Sequence, residues 1–512
     1  MITSEPNGRR WLALAVLSLS MLVTVVDTTI VNVALPTLAA RLHAGPSSLE
    51  WIVDAYTLSF AALLLPAGSA GDRIGRHRAL AAGMAIFGAA SLGAALSTCA
   101  PELTAWRAVM GAGAALVIPA SIAIITGLFP DPAERAKAIA VWSGVSGLGV
   151  AIGPTLGGWL LAHYAWGSIF AVNVPIAALA LIAGRIAVPA CAAPQRPRFD
   201  PVGTVLAAAS LGTLTYSIID AGTAGWASGA AAGRWAASAL LVVAFVVWEA
   251  RARCPMIEFG IFRDPRFAIA SAAVAILFFG LAGITFMLTQ IYQFILGYSP
   301  LAAGVRSLPS AVALAIAVPA GTRLAARAGI RAAVTTGLLA MTAGLGYLAL
   351  ATGQSTYPHY VIAATTMAVG TGLTTAPATQ SVLASLPIHR LGAGSAVNNT
   401  MRNLGSVLGV AVLGSLAATC YSRGLAAVHG LPRPDVSLAR SSIGAATLVA
   451  SHLRAAHAAE AHALQLAAAD AFMHGASLGV LGTAGLTVAA ATATALLLPA
   501  KAAQDLATLL GG

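Results

Sequence analysis

The chain has 512 residues, of which 58% are apolar and 9% charged, where an ordinary soluble domain carries about a quarter charged residues. That composition excludes a water-soluble globular protein. The net charge of +11 raises nucleic acid as a partner, but the arginines are scattered singly instead of gathered on a basic face, so the expected partner is the lipid bilayer and no nucleic acid.

A helix that spans a bilayer needs roughly 20 consecutive apolar residues, and about 14 such stretches follow one another along the chain. They run over 11–35, 50–67, 78–98, 102–127, 137–161, 167–188, 202–220, 234–250, 267–296, 304–322, 331–352, 357–384, 394–419 and 475–498. The fold class is therefore an all-α integral membrane protein. Arg9 and Arg10 precede the first stretch, which reaches Leu35 without a small-residue cleavage site, so it reads as a retained helix and not a signal peptide.

With the N-terminus placed inside, the inner segments hold 19 Lys and Arg and the outer segments seven, four of those in a single long loop. The positive-inside rule weighs short loops most, so both termini are expected in the cytoplasm of a multi-pass cell-membrane protein. That long outer loop, 420–474, contains an Ala, Leu and His-rich segment from Ser441 to Ala471, expected to lie as a separate amphipathic outer helix. His457, Glu460 and His462 within it lack the spacing of a metal site, and no metal is expected. The four cysteines show no ligand spacing; a disulfide between Cys99 and Cys420, both at predicted outer ends, is the alternative to free thiols.

Charges inside spanning helices are costly and functional by default. Asp27 lies about 16 residues into the first helix, Asp54 at the outer start of the second, and Arg107 about five residues into the fourth. At 1.5 Å per residue these depths fall roughly 5 to 12 Å below the outer surface, so one cavity is expected to hold both acids and the guanidinium, the outline of a proton-exchange site. The structural alternatives are a polar pairing of Asp27, a helix-entry role for Asp54, and an ion pair or carbonyl clamp for Arg107.

Two further segments suit moving parts. Gly149 to Gly158, with Gly153, Pro154 and Gly157, places glycines and a bend in the outer half of the fifth helix. The turn from Gly68 to Arg78 sets Asp72, Arg73, Gly75 and Arg76 on a tight inner hinge.

In this order and spacing, the elements resemble the major facilitator superfamily, and within it the 14-helix drug:proton antiporter family of multidrug and antibiotic exporters. The turn from Gly68 to Arg78 resembles the superfamily's loop signature, Arg107 with Gly111 and Gly113 its fourth-helix motif, and Gly149 to Gly158 the antiporter motif. Asp27 to Pro36 and Trp51 to Leu58 are similar to segments of the 14-helix branch. So are Gln290, Gln293, Gly297 to Pro300, and Gly392 to Gly409 with Asn398, Asn399 and Arg402. Met110 stands where the family usually has Gln, and the segment Gly321 to Arg327 lacks the acid its half-repeat turn often carries.

The resemblance implies two six-helix bundles, residues 1–190 and 267–512, with two helices of 191–266 inserted between them. It implies Asp27, Asp54 and Arg107 as proton-coupling residues, Asp72, Arg73, Gly75 and Arg76 as an inner gate, and Gly149, Gly153, Pro154, Gly157 and Gly158 as an outer seal. Asn32, Tyr56, Gln290, Gln293, Asn398 and Asn399 are the polar candidates for contact with a small-molecule substrate. The expected activity is export of lipophilic or cationic drugs in exchange for protons, by a monomer with no cofactor beyond the coupling ion. Neither the substrate nor an accessory subunit is readable. No phosphate-binding GxxxxGK[ST] loop occurs, which disfavours an ATP-driven pump. Proton-coupled uptake is the alternative within transporters, and a non-transporting sensor the alternative outside them.

Overall fold

The structure is a computed structural model that describes residues 7–129, 131–188, 200–252, 259–385, 391–425, 438–453 and 457–498. Sixteen α-helices are described: α1 (Asn7–Leu42), α2 (Pro46–Ile74), α3 (Arg76–Leu96), α4 (Ala100–Leu128), α5 (Pro132–His163), α6 (Ser168–Ala171), α7 (Asn173–Ala187) and α8 (Pro201–Ala224). They continue as α9 (Gly229–Arg251), α10 (Pro265–Gln290), α11 (Pro300–Ala328), α12 (Ile330–Ala349), α13 (Tyr357–Ala384), α14 (Leu391–Gly424), α15 (Ile443–Leu453) and α16 (Ala458–Leu497). A five-residue π-turn, Ile291–Ile295, extends α10. No strand occurs among the described residues.

Local chemistry sets many of the helix starts. Asp131, Asp200, Asp264 and Ser299 each precede a proline, and each side chain accepts a hydrogen bond from a backbone N–H of the first turn, at 2.8, 2.9, 2.8 and 3.2 Å. The cap satisfies an N–H that the helix leaves open, and proline at the first position has no N–H to satisfy. The turns between α2 and α3 and between α11 and α12 each reverse on a glycine with positive φ, Gly75 at 98° and Gly329 at 89°. A side chain would strain either turn, and the match between them relates the two halves of the chain.

Among the described residues, twelve helices are long and apolar enough to cross a membrane, and α2 and α5 are further long helices of 29 and 32 residues. Large apolar side chains face outward on many of them, as Leu240 at 69% and Ile316 at 65% exposed do. In water such a surface would drive aggregation, whereas lipid tails match it.

One expected element is replaced. The segment from Ser441 to Ala471 does not form a single outer helix: α15 ends at Leu453, and α16 begins at Ala458 and runs unbroken for 40 residues through the last expected span. Leu464, Ala468 and Phe472 are buried at helical spacing. The close approaches of Gly424 to Ala471 and Gly475 to Cys420 pack this helix on α14. The polar Asp470 and His474, which break the apolar pattern, sit on its exposed side. Cys99 and Cys420 are both free thiols.

Helices α1 to α7 pack among themselves, α10 to α14 with α16 form a second group, and α8 and α9 pair with each other while α8 lies against α2 and α14. Taking the face where α1 begins as proximal and the opposite face as distal, the closest approaches between the two groups lie in the distal half. Gly158 meets Pro300 and Leu301, Gly304 meets Pro154, and Gly414 meets Glu50. The Gln293 side chain donates to the Val33 carbonyl at 2.8 Å.

Candidate proton-coupling and transport site

Asp27 is fully buried on α1, and Arg107, 1% exposed on α4, forms an ion pair with its carboxylate. The second carboxylate oxygen accepts a hydrogen bond from the Asn173 amide at 3.0 Å, and that amide also donates to Ser91 at 3.4 Å. Arg107 in turn donates to the Ile52 carbonyl at 3.1 Å, and its guanidinium lies 4.5 Å above the Tyr56 ring. A charge taken out of solvent survives only when paired and hydrogen-bonded, and here helices α1, α2, α4 and α7 each contribute a partner. The approach depends on Gly111, one turn beyond Arg107: a side chain there would run into the Tyr56 backbone. Gly113 likewise seats α4 on Gly83 and Phe87 of α3.

Asp54 does not join this cluster. Ile52 and Tyr56, four residues apart, share the face of α2 that meets Arg107, and a residue midway between them points to the other side. Asp54 is 0% exposed, and neither carboxylate oxygen has a hydrogen-bond partner. The expected single cavity with two acids and one guanidinium is thus two separate sites on opposite faces of α2, because depth alone says nothing about helix rotation. On the Asp54 face, one turn earlier, Glu50 is also buried; the hydroxyl of Ser415 of α14 lies 3.4 Å from its carboxyl.

The glycine-rich α5 is packed between α1 and the second group. Gly149 faces Val25, Gly153 faces Thr29 and Gly157 faces Ile30, forming a groove that follows α1 on either side of Asp27, while Pro154 and Gly158 contact α11. At the inner hinge, Gly75 closes the turn by donating to the Gly71 carbonyl, and Arg76 donates to the Ala123 carbonyl of α4 at 3.0 Å. Arg73 is exposed, and the side chain of Asp72 lies outside the described residues.

The polar substrate candidates are spread over several levels. Tyr56 belongs to the charge cluster, and its hydroxyl donates to the Thr24 carbonyl at 3.5 Å. Asn32 donates to Thr28 of its own helix at 3.2 Å. Gln290 lines a distal cavity with Glu50, and Gln293, on the π-turn, reaches α1. Asn398 donates to Thr379 at 3.2 Å, Asn399 accepts from Asn403 at 2.7 Å, and the Arg402 guanidinium lies 4.4 Å from the Phe278 ring. Two members of the buried polar network escape the sequence argument: Asn173, a lone amide in an apolar helix, and Glu50, whose i, i+4 spacing to Asp54 was the available signal.

A profile of the Major Facilitator Superfamily matches residues 17–410. The chain belongs to this superfamily. It is 34% identical to the multidrug efflux pump LfrA of Mycolicibacterium smegmatis, over 88% of this chain and 89% of that one. It is also 34% identical to the puromycin resistance protein pur8 of Streptomyces alboniger, over 80% and 82%. Identity to the methyl viologen resistance protein SmvA of Salmonella typhimurium is 32%, over 86% and 90%. Among solved structures, a bacterial homologue of the human lysosomal transporter Spinster, in an inward-facing and unoccupied conformation, superposes with a TM-score of 0.66 at 17% identity over 96% of this chain and 98% of that one. The D-xylose-proton symporter does so with 0.62 at 14%, over 96% and 99%. These last two likenesses concern the major facilitator fold alone. The superfamily is one of transporters acting on small molecules, and the polar network inside α1 to α7 lies within that fold.

Proposed function

We propose that this chain exports lipophilic or cationic drugs across the cell membrane in exchange for protons. The observation that carries the reading is the fully buried Asp27–Arg107 pair on α1 and α4, supported by relatives whose names record multidrug efflux and resistance to puromycin and methyl viologen. A proton arriving on Asp27 removes the charge that holds Arg107, which keeps its contacts to the Ile52 carbonyl and the Tyr56 ring. The α1 helix is then free to shift against the glycine groove of α5, and α5 carries that shift to α11 through Pro154 and Gly158. Protonation thus biases how the two groups meet.

With the termini in the cytoplasm, as the charge bias of the loops argues, the distal closure corresponds to a state open toward the cytoplasm. Substrate enters between the groups near the membrane midplane, the usual place in such folds. The α2 and α5 helices complete 14 spans, with α8 and α9 inserted between two bundles of six. A proton moving down about 100 mV releases about 2.3 kcal/mol, and at 1.4 kcal/mol per decade that sustains a gradient of nearly fiftyfold for a neutral drug.

The test is transport in proteoliposomes with an imposed proton gradient and a panel of lipophilic cations and neutral antibiotics. Drug movement against the direction of proton flow, abolished in Asp27→Asn, supports exchange. Movement in the same direction as the protons establishes uptake instead, and no flux with any compound reopens the sensor reading.

A further inference from the structure

Glu50 and Asp54 occupy one face of α2 a single turn apart, both buried, where α2 meets α14 across the two groups. The room for Glu50 comes from Gly414: a Cβ there would lie 2.7 Å from its carboxyl carbon. The hydroxyl of Ser415, the next residue, donates to the Ile218 carbonyl of α8 at 2.8 Å and lies 3.4 Å from the Glu50 carboxyl, which ties α2, α8 and α14 together at this level. A small cavity, with room for no more than a few waters, opens beside the carboxyl, lined by Gln290, Phe286, Tyr421 and Phe472 among others.

No cation among the described residues faces this pair. On α8 the nearest charged group in sequence, Asp220, is held by Arg234 of α9 at 2.5 Å. On α14 the Tyr421 hydroxyl is engaged with the Ala439 carbonyl at 2.9 Å and the Ser442 carbonyl at 3.1 Å. The α10 wall offers only the neutral Gln290. Two adjacent carboxylates sealed in such a place would be buried like charges without compensation, a state that buried groups avoid by neutralising. Separation of the distal halves would part α2 from α14 and open the same carboxyls to water.

We propose that Glu50 and Asp54 form a second proton-binding pair, located between the bundles and distinct from Asp27, whose protonation closes the distal face. The pair admits protons only from the distal side and only while that side is open. Glu50 is the positioning residue of the closure, because it is the acid that α14 covers. The inference rests on the proposed exchange of protons for drug, yet distal closure is measured without any transport.

Spin labels at Thr98→Cys and Gln354→Cys, exposed in the distal turns of the two groups, report the opening when the four native cysteines are replaced. In lipid nanodiscs without substrate or gradient, the distance between the labels is expected to lengthen as pH rises. Glu50→Gln should hold the short distance throughout, while in Asp27→Asn, which removes only the contribution passed through α5, the distance should still lengthen as pH rises. Gly414→Ala, which intrudes on the carboxyl, should shift the population toward the long distance at every pH. A pH profile that is unchanged in Glu50→Gln, or lost only in Asp27→Asn, overturns the proposal. Loss of drug-coupled proton flux in proteoliposomes with the distance response intact would instead count against the exchange reading alone.

Discussion

The fate of Asp27 turns on its partners. Removing one member of a buried, hydrogen-bonded charge pair typically costs about 3 to 5 kcal/mol, because the remaining charge is stranded. Arg107→Ala should therefore lower the thermal midpoint and the yield of folded protein strongly, and Asp27→Asn combined with Arg107→Ala should recover part of that loss. A double variant no more stable than Arg107→Ala would show that the two side chains do not act as a pair. Asn173→Ala removes one hydrogen bond to a charged group, so its cost is smaller, about 1 to 3 kcal/mol, measurable as a modest drop in thermal midpoint. Sequence reasoning reached Asp27 and Arg107 because a charge inside an apolar run stands out. It passed over Asn173 and Glu50: an amide in an apolar helix is a quiet signal, and Glu50 stands at the boundary where a span and its headgroup residues merge. It also placed Asp54 with Arg107, since distance along a helix fixes depth, whereas the face is fixed by which neighbours the helix packs against.

At the level of elements, the glycines of α5 are explained by contact with α1 at Val25, Thr29 and Ile30. Gly153→Val should push α1 away and reduce drug export severely while leaving the protein in the membrane; export at the wild-type rate would separate the groove from the transport cycle. Gly75 illustrates a different constraint. With φ at 98° and ψ at 131°, a region that essentially only glycine adopts, an alanine there should cost about 1 to 3 kcal/mol, read as a lower thermal midpoint, and the same change at Gly329 should cost a similar amount. The helical stretches themselves were legible from apolar runs. The junction of α15 and α16 was not, because Asp470 and His474 interrupt the apolar pattern of a helix that continues beyond the membrane, exposed on one side and packed on α14 on the other.

At the scale of the whole molecule, the two groups meet distally through α5 with α11, α2 with α14, and the π-turn after α10 with α1. The family was visible in the order of the motifs; the way the halves lean on each other was not, since contacts between residues hundreds of positions apart leave no periodicity to read. If protonation and drug binding compete through Asp27, drug binding must release a proton even when nothing is transported. The measurement that tests this most directly adds a transported drug to the purified wild-type protein in weakly buffered detergent solution and follows pH. The account predicts acidification that saturates with drug and is absent in Asp27→Asn, and drug that binds with no proton released from the wild-type protein would contradict it.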